Sequence, residues 1–65
     1  MDPENPLVFY NLAEIYSSAG QLETAIDHLE KSVALGYPHK EGMRNDPDFV
    51  PLQGHPRYEA LVESL

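Results

Sequence analysis

Phe9, Leu12, Ala13 and Tyr16 recur at i, i+3, i+4 and i+7. That spacing lines one side of an α-helix, and the small side chain of Ala13 lets a second helix come close. Gly20 follows where such a helix has to stop, because glycine takes the left-handed conformation that ends helices. Leu22, Ala25, Ile26, Leu29 and Val33 then draw a second stripe, again with a small residue in its middle. Two amphipathic helices joined by a short glycine-containing turn fold as an antiparallel pair. An all-α architecture built on this hairpin is the expected fold class.

The same residues resemble a tetratricopeptide repeat. That family's unit of about 34 residues carries W-x-x-L-G-x-x-Y, then A-x-x-x-F, then P. Phe9 stands for the Trp, Ala13 for the Gly and Leu29 for the Phe, while Leu12, Tyr16 and Ala25 match. The repeat would run over residues 6–39. Asp2-Pro3-Glu4-Asn5 resembles the end of a preceding repeat. Tyr37 stands where the closing Pro belongs and Pro38 comes one residue late, so an altered exit from the second helix is expected.

The second half does not repeat the first. Gly36-Tyr37, then Met43-Arg44-Asn45-Asp46-Pro47-Asp48-Phe49-Val50-Pro51-Leu52, then His55-Pro56-Arg57-Tyr58-Glu59-Ala60-Leu61 is similar to the terminator segment that closes many bacterial arrays of these repeats. Residues 40–65 are therefore expected to form a C-terminal capping segment, and residues 1–65 a single small domain.

Composition narrows the functional classes. At 65 residues a chain buries only about 60% of its unfolded surface, so the core supplies a few kcal/mol at best. There is no Cys, hence no disulfide and no thiolate metal site. The formal net charge of -7 argues against nucleic acid, which selects a basic stripe, and against anionic membrane surfaces. No apolar run approaches the roughly 20 residues of a membrane-spanning helix, and no signal peptide opens the chain. A cytoplasmic location is the default expectation.

The first helix is expected from Pro6 to about Ala19, with Asn5 as its N-cap. The second is expected from about Gln21 to Leu35, with Gly36 as its stop. Beyond it, a short helical piece near residues 39–44 and a turn started by Asp46-Pro47 should carry Phe49, Val50 and Leu52 as anchors. Pro56 starts a last helix whose apolar face is Tyr58, Leu61, Val62 and Leu65. It should pack on the second helix and cover the surface where a next repeat would dock.

No catalytic motif is present: neither a Gly-rich phosphate loop, nor a Ser nucleophile turn, nor H-E-x-x-H. His28, His39 and His55 match no common metal spacing and read as exposed or capping imidazoles, with His28 on the polar side of the second helix. No enzymatic activity, metal or cofactor is expected. Eleven acidic residues are spread over every element, which reads as a solvated surface. The residual reading is that Glu14 and its neighbours line a groove selecting a basic peptide.

Phe9 and Tyr16 read as core. Tyr10 lies one residue off the core stripe, with Glu14 and Ser17 at i+4 and i+7. In the tetratricopeptide family that stripe lines the concave groove for extended peptides. The resemblance thus implies Leu7, Tyr10, Glu14 and Ser17 as peptide-contacting residues. With no Lys or Arg in the first helix, a carboxylate-bearing ligand would meet repulsion. Val8, Leu12 and Ile15 form a further apolar face, more than one hairpin needs to close itself. Such a patch marks an interface, and pairing with a second copy would bury it symmetrically. The expected function is a non-catalytic protein–protein interaction scaffold, self-associating or docked on a protein or peptide partner. The alternative is a C-terminal regulatory fragment of a larger bacterial signalling enzyme.

Overall fold

The computed structural model describes residues 4–65, and the expected lead-in at residues 1–3 lies outside them. Four α-helices and one 3-10 helix follow in chain order: α1 (Pro6–Ser18), α2 (Leu22–Ala34), α3 (Lys40–Asn45), the 3-10 helix (Pro47–Leu52) and α4 (Pro56–Glu63). No strand occurs among the described residues.

The boundaries have local causes. Asn5 caps α1 by accepting the Leu7 N–H on its side chain at 2.9 Å, and Pro6 occupies the first turn, where its missing N–H costs nothing. Both long helices end in the same way. Gly20 and Gly36 take φ of +82° and +91°. The next residue's N–H then reaches back to the helix, Gln21 to the Tyr16 carbonyl and Tyr37 to the Ser32 carbonyl. This six-to-one closure satisfies carbonyls that would otherwise be orphaned. The Tyr37-for-Pro exchange leaves α2 ending at this closure, with the Tyr37 ring turned inward and 6% exposed.

α1 and α2 form the antiparallel hairpin, with Ala13 and Ala25 fully buried at its seam. Two buried hydroxyls tie α1 to its neighbours, one to α2 and one to the 3-10 helix. Ser32 of α2 donates to the Pro6 carbonyl at 2.8 Å, and Ser17 of α1 donates to the Asp48 carbonyl at 2.6 Å. The chain then turns back over the hairpin. The 3-10 helix lies on α1 and α2, and α4 lies on α2 and α3. Phe49 and Leu52 from the 3-10 helix, Met43 from α3 and Tyr58 from α4 join Ile26, Leu29 and Tyr10 in one core. Fully burying such a side chain contributes about 1.5–3 kcal/mol before its lost freedom is counted. Leu61, Val62 and Leu65 are half-buried against that core, so the apolar face expected of the last helix does point inward.

Three expectations need correction. Val50 is not an anchor: it is 57% exposed, because one turn of 3-10 helix sends Phe49 and Leu52 inward together and Val50 outward. Phe9 is half-buried at the edge of the hairpin rather than in the core. His28 is not on a solvated face. Its ring stacks between Tyr16 at 5.0 Å and Phe9 at 6.2 Å, and Nδ1 lies 2.8 Å from the Thr24 carbonyl.

α4 is fastened by charge as well as by packing. His55 caps it, Nδ1 accepting the Arg57 N–H, which leaves Nε2 to face Glu23 at 3.0 Å. The Arg57 guanidinium meets Glu23, Asp27 and Glu30, acidic side chains on successive turns of α2.

Candidate protein-docking surface

Helix α1 has two working sides. One faces α2 and the core. The other carries Val8, Leu12 and Ile15, of which Val8 and Leu12 are half-exposed and Ile15 is 62% exposed. Glu14 is the only charged residue between Asn5 and Leu22, so this outer side is an uncharged apolar strip on a strongly acidic molecule. Among the described residues, Leu7, Ile15 and Val50 are the large hydrophobic side chains left most open to water.

The residues that the family resemblance places in a peptide groove are divided by the structure. Leu7 is open, at 48% exposure. Tyr10 and Ser17 are not. Tyr10 is 7% exposed, stacked on Tyr37 at 4.2 Å and edge-on to Phe49 at 5.3 Å, and its hydroxyl donates to Asp46 Oδ2 at 2.6 Å. Ser17 is wholly buried beneath the 3-10 helix. The stripe of α1 that would receive an extended peptide is occupied by the chain's own residues 46–52, so Tyr10 and Ser17 are corrected to core positions here. Glu14, between them, is half-buried at the rim.

That rim gathers carboxylates. Oxygens of Glu14, Asp46 and Asp48 lie within 4.8 Å of one another. Burial, and then the negative neighbours Asp46 and Asp48, push the Glu14 carboxyl up to about 7. For Asp46, burial opposes the charge, but hydrogen bonds from Glu14, the Tyr10 hydroxyl and the Asp48 N–H prevail and hold it below the usual carboxylate range. Glu14 therefore holds its proton to higher pH than an ordinary glutamate. Burial and the same Asp46 carboxylate push the Tyr10 hydroxyl well above its ordinary value. Beside the cluster, Asn11, Glu14, Ile15, Ser18 and Asp48 line a shallow open groove of about 410 Å³ between α1 and the 3-10 helix.

Residues 1–27 match the tetratricopeptide repeat. The match runs through α1, its glycine turn and the first half of α2. No curated protein matches the chain, and no solved structure matches it. Tetratricopeptide repeats stack as helical hairpins and present their outer surfaces to other proteins. No described helix is long and apolar enough to cross a membrane. No local sequence signal places Tyr10 inside, because its partner Asp46 lies 36 residues away.

Proposed function

We propose that this chain is a non-catalytic protein-interaction module whose docking surface is the outer strip of α1. The observation that supports it most is Ile15, a large apolar side chain 62% exposed on the first helix of a tetratricopeptide-like hairpin. In a solenoid that side of a hairpin is covered by its neighbour, because each repeat contacts only adjacent ones. In the isolated chain a second copy takes the neighbour's place, pairing Val8, Leu12 and Ile15 with their equivalents about a two-fold axis. α4, over the other side of α2, serves as the closing helix of such a stack.

Sedimentation equilibrium tests this. The wild-type chain should show a mass above the 7.3 kDa of one copy as concentration rises, and Ile15→Asp should return it to a monomer with unchanged helicity. A wild-type monomer at every concentration, or an association indifferent to Ile15→Asp, would remove the strip as the docking surface.

A further inference from the structure

We infer that the groove between α1 and the 3-10 helix receives a segment of another protein that carries an Arg or Lys next to an aliphatic residue. This deepens the docking reading above and rests on it. The groove is mostly apolar, with an acidic edge. Ile15 supplies an exposed aliphatic surface, and Glu14, Asp46 and Asp48 border it with carboxylates.

Charge decides the occupant. Neither α1 nor the 3-10 helix contains a basic residue. The described basic side chains are engaged elsewhere. Arg57 lies across α2, Arg44 donates to the Val62 carbonyl at 2.6 Å, and Lys31 sits beside Phe9. A negatively charged segment would find no counterion here. A second copy would bring Glu14, Asp46 and Asp48 against their equivalents, so it suits the uncharged strip but not this groove. A cationic side chain offsets the crowded carboxylates and lets Glu14 release its proton. The aliphatic neighbour covers Ile15. The volume of about 410 Å³ lies within the range of about 300–1,000 Å³ of clefts that hold small ligands, which suits a few side chains rather than a whole helix. Ile15 belongs to both surfaces, so a bound cationic segment and a paired copy exclude one another.

The test uses a short capped peptide alternating Leu and Arg, and its counterpart with Gln in place of Arg. Amide NMR spectra of the full chain are followed during each titration. The Arg peptide should shift the amides of Asn11, Ile15, Ser18 and Asp48 and should drive any dimer to monomer. The Gln peptide should bind about tenfold more weakly. The double variant Glu14→Gln/Asp48→Asn should weaken the Arg peptide roughly threefold to tenfold, as expected for two partly exposed ion pairs, while its melting curve shows the fold intact. Added salt should weaken the peptide complex and strengthen pairing between copies, since it screens attraction in one and repulsion in the other. Equal binding of the two peptides, or full binding by the double variant, overturns the inference. The two readings fail separately. If Ile15→Asp dissolves the dimer yet the Arg peptide is ignored, only the inference falls. If Ile15→Asp leaves self-association unchanged, the docking surface falls with it.

Discussion

Phe49→Ala is the perturbation that asks most of this fold. Phe49 is fully buried, with its ring against Tyr10 and Tyr58. Truncating such a ring removes its transfer energy and leaves a cavity, at a cost of about 3–5 kcal/mol. At roughly 0.05–0.15 kcal/mol per residue, a chain of 65 residues has a total stability of about 3–10 kcal/mol. The substitution thus removes at least about a third of it and up to all of it. Val50 is the internal control. It is the next residue of the same turn but 57% exposed, and Val50→Ala should stay within about 0.5 kcal/mol. Urea unfolding followed by far-ultraviolet circular dichroism separates the two. With a slope of about 1 kcal/mol per molar urea for so small a protein, Phe49→Ala shifts the midpoint by several molar or unfolds the chain in buffer. Phe49→Leu, which keeps most of the volume, costs roughly 1.5 kcal/mol and keeps the comparison measurable. Equal shifts for Phe49→Ala and Val50→Ala, or a loss below about 1 kcal/mol for Phe49→Ala, would refute the claim that residues 46–52 complete the hairpin's core.

Two further outcomes follow from the same contact. Glu14 has a folded-state value raised to about 7 from an ordinary 4.5. Its contribution is therefore fully present below about pH 4.5 and is lost as pH rises through about 7, whereas the lowered Asp46 contributes above the usual carboxylate range and loses its share on acidification. Stability measured against pH should fall by about 1 kcal/mol between those two values once solvent screening at this half-exposed rim is allowed for, and Glu14→Gln should flatten that fall. Ser17→Ala should cost about 1–2 kcal/mol in chemical denaturation, because it strips a buried hydrogen bond from the Asp48 carbonyl.

The hairpin was legible because its determinants are local. The i, i+3, i+4, i+7 spacing, Asn5 before Pro6 and the two glycines each act within one turn of the residues they shape. The start of the 3-10 helix was legible for the same reason, since Asp46 caps it through the Asp48 N–H. Tyr10 and Ser17 were misread because what buries them arrives from far along the chain. Their partners Asp46 and Asp48 are 36 and 31 residues away, and no periodicity in α1 announces them. Val50 was misread because an apolar triplet was assumed to act as a unit, while a three-residue turn can bury only one side. His28 was misread because a wheel of α2 alone does not show that Phe9 and Tyr16 reach across from α1.

The return of residues 46–52 onto α1 also sets an order of events in folding. Contacts beside the α1–α2 turn close short loops, whereas docking Phe49 beneath Tyr10 closes a longer one, and the added entropy must be met before the contact forms. The hairpin should assemble early and the tail should dock late. Substitutions at Ala13 or Ala25 would then slow refolding, while Phe49→Leu would mainly speed unfolding. In that order of events Tyr10 is uncovered before the tail docks, so another extended chain would compete with residues 46–52 for the same face of α1.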